Sequence, residues 1–426
     1  ACRGADSCTN NELTKAIAAL NQLEKTRYHK NLDLGHREPP APPATQSLLD
    51  KFLGHKPPAS PSFDLSVFDP GKDAPPGQRL LPTILKMVDR FNGKPLTAAE
   101  QEWLVKAFPL GETVWRMGAP TLWKQGLTGK GVKVAVIDSG VGNHADFDDQ
   151  VKARVDFTRQ RGPDSVGQHA THVAGTILAL APDAEIRSYR AVSNFGDNNR
   201  LRQPGGANAV LRAIDQAVAD GNDVVNMSMG GGFIEDGTID KIEQYAESKG
   251  VIFVISAGNN GAEGPTGVGT PSIAPRALTI GSVDVNGRHS RFSSFGEDWD
   301  TEKMSFVIKK VFMAPGQNIV SSSVSMFSLG DTNRDHASLS GTSMAAPHVS
   351  GAAALLVQQV RGVNGILDPL KMSGAVRNAL EQSARRMYAL ELTGDHSPDQ
   401  EFLVIDPVAA YAALRRREMD SGFVSK

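Results

Sequence analysis

Hydrophobic positions change their period near residue 130 of this 426-residue chain, and each regime predicts different elements. In the first 110 residues the apolar spacing is helical. Leu13, Ile17, Leu20 and Leu23 form one stripe, and Leu81, Ile84, Leu85, Val88 and Phe91 form another. Thr97-Ala-Ala-Glu100 has the form of a capping box leading into Trp103, Leu104 and Ala107. Between the stripes, Pro39-Pro40-Ala41-Pro42-Pro43 and Lys56-Pro57-Pro58 predict extended connectors, and about half of the 25 prolines fall in this first quarter.

From Gly131 onward, near-continuous apolar runs alternate with helical patterns. Strands are predicted at Val132–Ile137, Ile186–Val192, Asp223–Met227, Val251–Ser256, Ala277–Val283 and Val311–Met313. Helices are predicted at His169–Leu180, Ala207–Asp220, Thr238–Lys249, Ser343–Val360 and Leu370–Ser383. This alternation implies an α/β fold, a parallel β-sheet covered by helices on both faces. The domains implied are a mostly helical, proline-rich N-terminal extension (1–110), an α/β domain (111–418) and a short C-terminal tail (419–426). Functional groups of such sheets gather at the carboxyl ends of the strands.

Three segments place chemistry at those ends. Val132-Lys-Val-Ala-Val-Ile-Asp138-Ser-Gly ends a strand on a carboxylate. His169-Ala-Thr-His172-Val-Ala-Gly-Thr opens a helix with an imidazole, and Gly341-Thr-Ser343-Met-Ala-Ala-Pro347-His348 opens another with a hydroxyl. A serine hydroxyl becomes a nucleophile when a base lies within hydrogen-bond reach and a third group orients that base.

In this order and these contexts, the segments resemble those of the subtilisin-like serine proteases, over about Trp115 to Leu414. The resemblance implies a serine endopeptidase acting on protein or peptide substrates through an acyl-enzyme on Ser343. His169 would be the general base, Asp138 its orienting partner, and Asn259, in Ser256-Ala257-Gly258-Asn259-Asn260, an oxyanion donor. Ser228-Met229-Gly230-Gly231, together with Ala257, Gly258 and Asn260, would hold the substrate. Neutral Asn260 leans toward large apolar side chains before the cleaved bond. His172 is expected as a satisfied core histidine, and Pro347 in the first turn as a residue whose missing N–H costs nothing. A catalytically silent, peptide-binding relative is the competing reading.

Two departures from the family pattern stand out. His169-Ala170-Thr171 carries alanine where glycine is usual. Ile177-Leu-Ala-Leu-Ala-Pro182 runs directly to the next strand, without the long calcium-binding loop of many relatives. No cofactor is required for the chemistry, and a structural calcium stays open elsewhere. Asp331-Thr-Asn333-Arg-Asp335 has alternating oxygen donors but lacks the glycine and glutamate of a full calcium loop. The extension has the length of a family propeptide but lacks that domain's alternating strands. It is either an intramolecular inhibitor of a zymogen or a permanent structural or partner-docking element.

Net charge of −2 with 22% charged residues gives no nucleic-acid-binding signature. No apolar run reaches the roughly 18 residues of a membrane span, the longest, Ala352 to Val357, being expected inside an amphipathic helix. Cys2 and Cys8 could close a small disulfide or leave reactive thiols. A start at Ala1 rather than Met leans toward a secreted protein whose leader has been removed, and an intracellular location stays open.

Overall fold

The computed structural model describes residues 111–420, apart from 145, 148, 159–166, 193–205, 230–236, 262–266, 285–286, 301–304, 325–335, 365–367 and 389–400. All lie in one compact unit, Pro70–Lys426. The helical stripes and proline links of residues 1–110, both cysteines, Gly230, Gly231 and the Asp331–Asp335 turn fall outside the described residues.

Two short helices, α1 (Gly111–Arg116) and α2 (Ala119–Trp123), lead into β1 (Lys133–Asp138) and β2 (Val151–Asp156). Then come α3 (Gln168–Leu180), β3 (Glu185–Arg190), α4 (Gly206–Ala219), β4 (Val224–Met227), α5 (Thr238–Lys249), β5 (Ile252–Ser256) and β6 (Leu278–Val283). A ribbon of β7 (Glu297–Asp300) and β8 (Ser305–Ile308) precedes β9 (Val311–Pro315), and β10 (Ile319–Ser322) pairs antiparallel with β11 (His336–Leu339). The chain closes with α6 (Thr342–Asn364), α7 (Pro369–Ser383), β12 (Arg385–Tyr388), β13 (Glu401–Val404) and α8 (Pro407–Asp420).

Nine strands form the main sheet in the order β12-β13-β9-β6-β5-β4-β1-β3-β2, and only the β12–β13 pairing is antiparallel. β1 lies between β3 and β4, so the chain builds outward from it in both directions. That reversal makes the carboxyl end of β1 and β4 a switch point, where flanking connections diverge and leave a crevice.

Strand alternation assigns the two faces. Val134 and Val136 of β1 enter the larger core with α3, α6 and α7, whereas Ala135 and Ile137 enter a second core with α4 and Ile242 of α5. The even positions continue to Asp138, which therefore emerges on the α3 and α6 face. Two glycines permit close packing there. A Cβ on Gly351 of α6 would meet Leu180 Cβ at 2.8 Å, and one on Gly175 of α3 would meet Ser321 Oγ at 2.6 Å.

The predicted strands and helices are present within a residue or two, except that α6 runs on to Asn364. It also differs in kind from the expected amphipathic helix. Its segment Ala352–Val357 is fully buried, because α6 lies among α3, α7, α8 and the strands β4, β5, β6 and β9. No described helix is long and apolar enough to cross a membrane.

Candidate active site

Asp138 ends β1 with its side chain fully buried. Its Oδ1 accepts the Ser139 backbone N–H at 2.6 Å and the Ser139 hydroxyl at 3.0 Å. Across the crevice, His169 stands in the first turn of α3. Its Nδ1 lies 2.9 Å from Asp138 Oδ2 and 3.0 Å from Oδ1. An ionised carboxylate only accepts, so Nδ1 carries the proton, leaving the Nε2 lone pair facing away from Asp138. The imidazole keeps 15% of its side-chain surface exposed, against 1% for the carboxylate. A base on such a footing can meet substrate while its orienting group stays dry.

Ser343 lies in the first turn of α6, where the helix leaves N–H groups without internal partners. Its hydroxyl donates to the Ser228 carbonyl at 3.0 Å, and the Ser228 hydroxyl returns a bond to the Ser343 carbonyl at 2.8 Å. Pro347 explains the second bond. Four residues beyond Ser343, it sits in the second turn rather than the first, where an ordinary residue's N–H would bond the Ser343 carbonyl. Its missing N–H therefore matters, and Ser228 fills the gap from the end of β4. Asn226 donates in turn to Ser228 Oγ at 3.0 Å and accepts from Ser350 at 2.9 Å, which locks β4 to α6.

Asn259 follows β5. Its Oδ1 accepts from the Thr342 backbone N–H at 2.9 Å and the Thr342 hydroxyl at 3.1 Å. Those bonds assign the amide orientation, since only an oxygen can accept both, and they turn Nδ2 away from Thr342. Gly258 adopts φ 107°, a left-handed conformation that favours glycine, and its N–H donates to Thr342 Oγ1 at 3.1 Å. The strand-to-loop turn is thus bolted to the residue preceding Ser343.

Substrate-side residues divide by what their side chains do. Met229 is buried in the second core, and Ala257 is fully buried after β5. Asn260 is exposed, and its backbone N–H donates to Ser294 Oγ at 3.0 Å.

His172 is not part of this cluster. Its Nε2 donates to the carbonyls of Ile319 at 2.9 Å and Ala337 at 3.1 Å, fastening α3 to the β10–β11 hairpin. Burial pushes it down to about 3, so it stays neutral. The expectation of a satisfied core histidine holds by half, since Nδ1 is buried without a partner. Sequence reasoning missed the supporting roles of Ser139, Ser228 and Thr342. The signal for Ser228 was the proline four residues after the helical serine, which announces an orphaned carbonyl.

Comparison with known proteins identifies the family. The model of the Subtilase family matches residues 129–402. Alkaline protease of Shouchella clausii is 31% identical over 70% of this chain and 70% of its own length. Subtilisin Savinase of Lederbergia lenta is 32% identical over 66% of this chain and 93% of its own. Among solved structures, the prenylagaramide maturation protease PagA superposes with a TM-score of 0.53 at 26% identity, covering 70% of this chain and 98% of that one. The chain belongs to the subtilase family. It is a subtilisin-type serine endopeptidase, and its substrates are proteins or peptides.

Proposed function

We propose that Ser343 attacks the scissile carbonyl, with His169 as general base, Asp138 as its orienting partner and Asn259 as an oxyanion donor. The observation that carries this reading is the 2.9 Å contact of His169 Nδ1 with the buried Asp138 carboxylate, on the sheet face where α6 begins. As substrate enters, the Ser343 hydroxyl exchanges its bond to the Ser228 carbonyl for one to His169 Nε2. The proton passes to Nε2 as Oγ bonds to the carbonyl carbon. Charge develops on the former carbonyl oxygen, which receives hydrogen bonds from Asn259 Nδ2 and the Ser343 backbone N–H, at the positive end of α6. The imidazolium, stabilised by Asp138, then protonates the departing amine, and water cleaves the acyl-enzyme by the reverse route.

Substrate lies along Ser228–Gly231 and the 257–260 loop, with its backbone paired to theirs, as strand addition requires. The uncharged Asn260 favours a large apolar side chain before the cleaved bond. Residues 1–110 act as an inhibitory segment that the chain's own triad removes. PagA is named a prenylagaramide maturation protease, and here the substrate of maturation is the chain itself. No cofactor takes part in the chemistry.

Time courses of intact mass and peptide hydrolysis for the parent and Ser343→Ala test both parts. The reading expects only the parent to shorten to a start near residue 110 and to gain activity. Hydrolysis by Ser343→Ala at the parental rate overturns the nucleophile; a full-length chain that hydrolyses peptide overturns the inhibitory extension.

A further inference from the structure

Away from the triad, one cluster of side chains has the composition of a transition-metal site. His144, in the loop leaving β1, is fully buried. Its ring stacks on Phe147 with centroids 5.4 Å apart and planes at 23°, and it meets His336 edge-on at 5.4 Å and 77°. The Asp146 backbone N–H donates to His144 Nδ1 at 3.1 Å. That bond fixes the tautomer with its proton on Nε2 and a lone pair on Nδ1, the form that can ligate a metal.

Asp146 completes the triangle. Its Oδ2 lies 3.4 Å from His144 Nδ1 and 2.9 Å from His336 Nε2. One donor atom from each residue falls within 4.8 Å of the others. Donors bound to a tetrahedral zinc at about 2.0–2.1 Å lie roughly 3.3 Å apart, between the two measured separations. The Ser322 hydroxyl donates to Oδ2 at 2.6 Å, the kind of outer contact that orients a ligating carboxylate.

We propose that His144, Asp146 and His336 bind one divalent transition-metal ion, zinc by preference, with water as the remaining ligand. Two imidazoles and one carboxylate suit a borderline cation. Calcium takes six to eight oxygens, and among the described residues of this cluster there is a single carboxylate. On loading, His336 moves its ring proton from Nε2 to Nδ1, which frees the Nε2 lone pair with no net proton loss, and the ion replaces the Asp146 N–H at His144 Nδ1. The ion would clamp the loop that follows Asp138 to β11, the strand that leads through Gly341 into Ser343. Its role is to stiffen the two segments that carry catalytic groups, and it touches no reacting atom.

The test uses the full chain carrying Ser343→Ala, stripped by chelator and dialysed. Co²⁺ is titrated while its ligand-field absorption is followed, and Zn²⁺ is then added in competition. His336→Gln and Asp146→Asn, both at exposed positions, are made in the same background. Other histidines and cysteines exist in the chain, so the difference between parent and variants isolates this site. The proposal expects one equivalent of tetrahedral Co²⁺ absorption, displaced by Zn²⁺, that both variants weaken by more than about 100-fold, beyond the loss typical of outer-shell changes. It also expects Zn²⁺ to raise the unfolding midpoint of the parent but not of the variants. No tetrahedral absorption, or identical titrations in parent and variants, overturns it.

Discussion

Acid should destabilise this protein through two histidines that the fold keeps neutral. His172 fastens α3 to the β10–β11 hairpin, and burial holds it down to about 3. His348 lies within α6, donates from Nδ1 to the Met344 carbonyl at 2.8 Å, and is pushed by burial down to about 4. Both folded values lie below the 6.5 of an ordinary histidine, so the unfolded chain takes up protons that the fold refuses. Stability from these groups is therefore full above that value and is lost as pH falls toward the folded values. At about 1.36 kcal/mol per pH unit per proton, moving from pH 7 to about pH 5 removes about 2 kcal/mol for each histidine. The pair together removes about 4 kcal/mol, a large part of the 5–15 kcal/mol typical of a domain. The assay is urea unfolding of Ser343→Ala at several pH values in that window, beside a variant adding His172→Gln and His348→Gln. The double change lowers stability at pH 7 but should flatten the slope by about 4 kcal/mol over the window. Equal slopes in the two proteins would refute the reasoning.

Three further outcomes follow from the same contacts. Asn259→Ala should lower kcat by about 10²–10³ with little change in KM, a magnitude carried over from subtilisin itself rather than worked from this chain, and equal kcat would remove Asn259 from the oxyanion site. Ser228→Ala leaves the Ser343 carbonyl without the donor that Pro347 cannot supply, and should cost about 1–3 kcal/mol in denaturant unfolding; an unchanged midpoint would mean water replaces it. Gly351→Ala drives a methyl to 2.8 Å from Leu180 Cβ, and should cost about 1–3 kcal/mol by overpacking the α3–α6 crossing, against the stabilisation expected of alanine at an uncrowded helical site.

The central sheet was legible because burial on both faces leaves continuous apolar strands such as Val251–Ser256, bounded by helices of clear period. Asp138, His169 and Ser343 were legible for a related reason, as strand ends and helix starts are where local signals are strongest. The strands that sequence reasoning did not single out are mostly edge or ribbon elements. β2 alternates buried and exposed positions weakly, and β10 and β11 form a hairpin whose neighbours are fixed by His172 and Gly175 rather than by their own pattern. Burial all around α6 was hidden because its small residues, Ala352 to Ala354, give no stripe to distinguish a threaded helix from an amphipathic one. The His144–Asp146–His336 cluster was invisible for another reason. His336 lies 190 residues from Asp146, and only the fold brings their side chains to 2.9 Å.

Labelling with a serine-directed fluorophosphonate, followed by peptide mapping, tests the central claim most directly. The account predicts one adduct per active chain, on Ser343, blocked by prior peptide binding and lost in both Ser343→Ala and His169→Ala. A chain that hydrolyses peptide while its adduct sits on another residue, or that labels fully without His169, would contradict it.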